Sequence, residues 1–125
     1  MSRSDMSGPL VINEGALSHD GEAFTDDGEI SITSGIVTIG ANLCITAIAL
    51  TLPDPVANTD DSKRLHIVDI AGAAHTVTPD TTFGNGGSGE AKATFSGVIG
   101  DSIALIAYQG VWYITGKHQV TVGTV

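Results

Sequence analysis

Four histidines, His19, His66, His75 and His118, could ligate a metal or move protons. None stands near another or near Cys44 at the short spacings that make a zinc site recognisable, so no metal site is expected. His66 and His75 fall on neighbouring expected strands and could meet across a hairpin. A hydrogen-bonded polar histidine on a sheet face is the plainer expectation.

The acidic stretch Asp20 to Glu29 contains Asp26-Asp27-Gly28, which superficially resembles a calcium loop. A helix-loop-helix calcium site needs oxygens at alternate positions before the glycine and an acid six residues after it. Alternation back from Asp27 meets Thr25 and Ala23, and six beyond Gly28 stands Ser34, so the register fails. Gly84 to Gly89 is glycine-rich, yet it lacks the following Lys-Ser/Thr and the helix that a phosphate-cradling loop requires. Ser88 is no nucleophile elbow, because Glu90 occupies the second glycine position. Aromatic platforms for sugars are scarce: Trp112, Tyr108, Tyr113 and three Phe. No catalytic residue, metal or cofactor is assigned, and the expected class is a non-enzymatic structural protein.

The elements that would carry these residues are strands. A chain of 125 residues with 16 glycines, abundant Thr, Val and Ile and 15% charged residues has little of the material of surface helices. One domain is the default at this length. Short β-like runs begin at Glu29. Ile30, Ile32, Ile36, Val37 and Ile39 flank Ser34-Gly35 as a hairpin or bent strand. Leu43 to Leu52 changes phase near Thr46, as at a bulge or a change of sheet, and Pro53-Asp54-Pro55 stops it. Lys63 to Ala71 and His75 to Thr78 read as a hairpin around Gly72. After the glycine-rich loop comes Ala91 to Phe95. Ser102 to Tyr108, a Gln109-Gly110 turn, Val111 to Thr115 and His118 to Val125 read as a closing meander. The expected fold is all-β: a small β-sandwich or barrel-like domain of about eight short strands with an extended N-terminal arm. In the alternation of the last strands Trp112 shares a face with Ile114, and packing in the core is its expected role. Cys44 lies in an apolar run, forms no internal disulfide, and is expected to be a small core residue.

Residues 1–28 are expected to form a flexible acidic arm, and residues 29–125 the all-β domain. The first 29 residues hold seven acids (Asp5, Glu14, Asp20, Glu22, Asp26, Asp27, Glu29) against Arg3 alone, so −6 of the chain's net −9 sits there. The arm cannot bury enough to offset the entropy of its own ordering. Its apolar trio Leu10, Val11 and Ile12 is the candidate anchor by which it adds a strand to a neighbour. The acidity argues against nucleic acid and anionic membrane surfaces as partners. No apolar run is long enough to span a bilayer as a helix, and the expected place of synthesis is cytoplasm.

Six segments together carry a resemblance: Ala49-Leu50-Thr51-Leu52-Pro53, Arg64-Leu65-His66-Ile67-Val68, Ala74-His75-Thr76-Val77-Thr78, Ala93-Thr94-Phe95, Gly100-Asp101-Ser102 and Gly110-Val111-Trp112-Tyr113. They resemble the β-domains of tailed-bacteriophage virion proteins, particularly small head decoration or capsid cementing proteins, over about residues 35 to 115. The resemblance implies a structural virion protein made in the host bacterial cytoplasm. It would bind the outer surface of an assembled capsid as a homotrimer, contact the major capsid protein and stabilise contacts between capsomers. The pattern does not cover residues 1–28, so the role of Leu10, Val11 and Ile12 rests on the residues alone. Related segments also resemble domains of phage tail fibres and baseplates, which gives the alternative of a receptor- or glycan-binding β-module.

Overall fold

The structure is a computed structural model describing residues 21–40, 46–84 and 90–123. Among them are ten strands and no helix: β1 (Glu22–Phe24), β2 (Gly28–Glu29), β3 (Ile36–Ile39), β4 (Ala49–Leu52), β5 (Arg64–Asp69), β6 (Thr76–Pro79), β7 (Lys92–Phe95), β8 (Ser102–Tyr108), β9 (Val111–His118) and β10 (Val120–Gly123). They form two five-stranded sheets, ordered β1-β3-β5-β8-β9 and β10-β7-β6-β4-β2. The fold is thus a small all-β sandwich of two open, mixed sheets.

From β1 to β6 the chain alternates between the sheets. β1, β3 and β5 pair in parallel in one, and β2, β4 and β6 in parallel in the other. Each circuit lays one strand on each sheet, so this half is a coil of three two-strand turns. The remaining strands are antiparallel: β8 against β5, β9 against β8, β7 against β6, and β10 against β7. Period-two alternation supplies the core from both sheets. Val37, Ile39, Leu65, Ile67, Ile103, Leu105 and Trp112 face inward from the first sheet, and Leu50, Leu52, Val77, Phe95 and Val120 from the second. Each large apolar side chain so buried contributes about 1.5–3 kcal/mol. Trp112 is fully buried, as its alternation predicts, and its Nε1–H donates to Pro53 O at 2.9 Å, so the indole's one polar group is satisfied inside.

Three expectations are corrected. The run Lys63 to Ala71 and the run His75 to Thr78 make no hairpin, because β5 and β6 lie in opposite sheets. A glycine between two apolar runs can mark a corner between sheets as readily as a hairpin turn, and here Gly72, at φ +75°, sits in such a corner. The closing meander stops after two strands. β8 and β9 form the expected hairpin on Gln109 and Gly110, whose φ of +48° and +83° suit a turn matched to strand twist. The register then slips between Ala104 and Leu105, and the chain turns at Gln119, φ +54°, so that β10 joins the other sheet beside β7. That switch places Val120 in the interior, in register with Phe95. Finally, the folded body takes in residues that the sequence assigns to the arm: β1 and Gly28 belong to the sheets. Phe24 packs against the core, and the Glu22 carboxylate accepts from Ser31 N–H and Ser34 Oγ–H. Strands of two and three residues are too short to show a period, so pairing with β3 and β4 had to reveal them.

Candidate functional site

The chemistry of the described residues concentrates where β5 ends and β8 begins. Asp69 N–H donates to Asp101 O at 2.9 Å, and Gly100 N–H donates to Asp69 O at 2.8 Å, which locks the two strand ends together. Both carboxylates are buried. Asp69 Oδ1 accepts the N–H groups of Ala71 (2.9 Å) and Gly72 (2.8 Å). Asp101 Oδ2 accepts Ser96 N–H at 2.9 Å, Ser96 Oγ–H at 2.5 Å, and the N–H groups of Gly97 and Val98 at 3.2 Å each. Burial opposes ionisation of Asp101, but these hydrogen bonds from Ser96, Val98 and Gly97 outweigh it and hold the carboxyl below the usual carboxylate value. Loops must find partners for their amides, and here two inward-facing aspartates provide them.

His75 is fully buried on the neighbouring corner. Its Nδ1 accepts Ile48 N–H at 2.9 Å, which requires that nitrogen to be unprotonated. The ring's proton is therefore on Nε2, facing Asp69 Oδ1 at 3.4 Å. That separation is a polar contact rather than a full hydrogen bond. Ser96, Asp101, His75 and Asp69 include the residue types of a hydrolytic triad, but Ser96 donates to Asp101, and His75 commits its acceptor nitrogen to a backbone amide. The geometry braces two loops.

What the braced loops carry is apolar. Residues 70–74 read Ile-Ala-Gly-Ala-Ala and residues 96–100 Ser-Gly-Val-Ile-Gly, with no charged residue in either. Ile70 is 42% exposed, Val98 55% and Ile99 68%, and a Cβ placed on Gly72 would stand 3.4 Å from Ile99 Cγ1, so the loops adjoin. The other end of the β5/β8 pair is polar. There Lys63 Nζ donates to Asp60 Oδ1 at 2.8 Å, Asp60 Oδ2 accepts Val56 N–H, and Gln109 donates its backbone N–H and its Nε2–H to Asp61. The Lys63 hydrogen bond first, and the Val56 amide next, hold Asp60 below its ordinary pKa; the Gln109 amide does the same for Asp61. The polar end also exposes Ile36, Val56 and Tyr108, and exposed Asp26, Asp27, Lys117 and His118 border the apolar loops at the other.

Leu10, Val11 and Ile12 lie outside the described residues, as do His19, Cys44 and residues 85–89, Ser88 among them. His66 is exposed on β5, His118 is exposed at the end of β9, and His75 is internal; the hairpin that would bring His66 and His75 together does not form. Among the described residues no cluster of three His, Cys, Asp or Glu is placed to hold a metal. Asp27 of the calcium-like stretch instead accepts Ala49 N–H at 2.9 Å. A groove of about 310 Å³ between the outer strands β9 and β10 is lined by Glu90, Ile114, Thr115, Gly116, Lys117 and Val122, a set whose only hydroxyl is a threonine's. Sequence reasoning missed Asp69 and Asp101. The signal was present as an Asp at a strand end next to Gly-containing small-residue loops, the setting in which carboxylates cap local amides. Comparison with protein-family models finds no match, and comparison with curated proteins finds none either.

Proposed function

We propose that this chain is a structural virion protein that binds the outer surface of an assembled phage capsid and stabilises contacts between capsomers. The observation that carries the proposal is the pair of braced apolar loops. Two buried aspartates are committed to holding loops still, and those loops display Ile70, Val98 and Ile99 to solvent. Such a surface is suited to adhesion, because exposed apolar groups on stiff loops bind with little further ordering. The resemblance to head decoration proteins adds the type of partner: the major capsid protein and further copies of the same chain. Four of its six segments overlap β4, β5, β6 and β7, and the other two border or overlap β8 and β9, the strands on which both ends of the body are hung.

In this proposal the acidic arm makes the capsid contact, with Leu10, Val11 and Ile12 as the apolar anchor. An arm that orders only on an assembled lattice distinguishes shells from free subunits. Weak identical contacts repeated over a shell add through multivalency. Net charge −9 keeps the protein soluble and indifferent to packaged DNA.

The test mixes purified full-length protein with expanded and unexpanded capsids and images where it sits. Uniform density on expanded heads is the expected result. Density confined to tails assigns the chain instead to a fibre or baseplate module, and absence from both sinks the virion proposal. Deleting residues 1–20 should leave the strand spectrum and thermal unfolding unchanged and abolish head binding; a truncated protein that binds as well as the full chain removes the arm from the mechanism.

A further inference from the structure

We infer that the outer face of the first sheet is the surface with which the body seats on an acidic protein surface. The inference rests on the virion proposal above, in which that partner is the capsid exterior, and it names the contact that the body makes beside the arm. Residues that pair across neighbouring strands share a face, because successive side chains alternate. Ile36 pairs with His66, Arg64 with Ile106, Ile106 with Tyr113, and Ser102 with His118. Ile36, Arg64, His66 and His118 are exposed there, and Ile106 and Tyr113 half-buried, while the residues between them on β3, β5 and β8 face the core. The described residues hold eleven acids and four bases, yet no acid stands at an outward position of β1, β3, β5, β8 or β9. The acids that border this face are committed elsewhere or lie past its ends. Glu22 is in the inner phase opposite Val37 and takes Ser31 and Ser34, and Asp61 accepts from Asn58 and Gln109. Asp26 and Asp27 follow β1, with Asp27 on the Ala49 amide of the second sheet. Among the described residues no carboxylate pairs with Arg64.

Composition and charge select the occupant. Arg and Tyr present, with Asp, Glu and Lys absent, is the make-up of the buried centre of a protein interface. A face without acids that carries a guanidinium, on an otherwise acidic molecule, is complementary to a protein surface with carboxylates, and such pairing sets encounter and orientation. A bilayer or a nucleic-acid duplex is charged over its whole extent, so it would meet the bordering acids as well, and a single arginine is too little to hold it. Five strands about 4.8 Å apart and the seven residues of β8 at about 3.3 Å each give a face of roughly 400 Å², about half of what one partner contributes to a stable pairwise interface. One such contact is weak alone and holds when repeated over a shell.

Co-sedimentation of the full chain with expanded heads tests this. Arg64→Glu should weaken binding at least tenfold, and so should His66→Glu, which sets a carboxylate between Ile36 and Ala104 in the middle of the face. Lys92→Glu makes the same charge change as Arg64→Glu on the outer face of the second sheet, where Lys92 pairs with Gly123, and should leave binding unchanged. Wild-type binding should weaken as salt is raised. Far-UV circular dichroism and thermal unfolding establish that each variant is folded, and should one of the two face variants fail to fold, the other carries the comparison. Normal binding by a folded face variant, an equal loss in Lys92→Glu, or binding indifferent to salt would each overturn the inference and leave the virion proposal standing. Arg64-dependent flotation with phosphatidylserine vesicles would give the face to lipid and overturn it too. A wild type that binds no heads defeats the virion proposal, and this inference falls with it.

Discussion

Asp69 Oδ1 faces His75 Nε2 across 3.4 Å in the buried interior, joining the two residues that bracket the corner where the chain passes from one sheet to the other. The same oxygen holds the amides of Ala71 and Gly72, so one carboxylate sets the corner's path and also faces the proton of the buried imidazole. Burying polar groups is costly without such partners, so substitutions at this pair act directly on the corner.

Asp69→Ala leaves the Ala71 and Gly72 amides without an acceptor and removes the carboxylate that faces the buried imidazole, and should cost about 2–4 kcal/mol in urea unfolding. Asp69→Asn retains one carbonyl oxygen and should cost about half as much, on the order of 1–2 kcal/mol. Equal losses for the two variants would show that acceptor geometry at this corner is not what stabilises it.

Acid should unfold the protein through its aspartates. Asp60, Asp61 and Asp101 all have folded-state pKa values below the ordinary one. Their contribution is complete above the unfolded carboxylate pKa of about 3.9 and is lost as pH falls through the lower folded values. Where these groups govern, chemical-denaturation midpoints should be level from about pH 6 to 5 and drop below about pH 4. Asp101→Asn should lower the midpoint at neutral pH and flatten the acid limb; a limb as steep as that of the wild type would exclude Asp101 as a contributor.

Trp112→Phe removes the hydrogen bond to Pro53 O but keeps most of the ring, and should cost about 0.5–1.5 kcal/mol for the bond plus a small packing loss. Trp112→Ala should cost about 3–5 kcal/mol, because a fully buried indole leaves a cavity. Thermal unfolding distinguishes the two, and an alanine variant no worse than the phenylalanine one contradicts the core role.

Gly40 and Gly100 both have left-handed backbone, at φ +96° and +99°. Alanine at either should cost about 1–2 kcal/mol for that conformation. Only at Gly40 would the new Cβ also strike the Cβ of Ala71; around Gly100 the space is open. Gly40→Ala should therefore be clearly the worse, and Ala71→Gly should recover part of its loss but nothing for Gly100→Ala. Failure of that double-mutant cycle would place the strain elsewhere.

The all-β class, the positions of β5 and β8, the turn at Gln109-Gly110 and the interior place of Trp112 could be read from residue order. Each rests on neighbours in sequence: an alternation, a pair of turn residues, an aromatic on the apolar phase. β1 and β2 could not be so read, since two or three residues carry no period. Nor could the structural weight of Asp69 and Asp101. In the sequence they are acids beside small-residue loops; their role comes from amides of residues 71–72 and 96–98 that reach them only after the corners have closed.

Local order therefore settled the all-β class and roughly where the strands run. Which sheet each strand joins was left to folding, because an apolar alternating segment presents the same edge hydrogen bonds and the same inward face to any neighbour. The coil of parallel pairs from β1 to β6, the departure of β10 from β9 and the gathering of Ile70, Val98 and Ile99 at one end all follow from packing across the sandwich. That information resides in the fit between distant segments, where burial of a shared core outweighs any preference of the chain for its nearest partner.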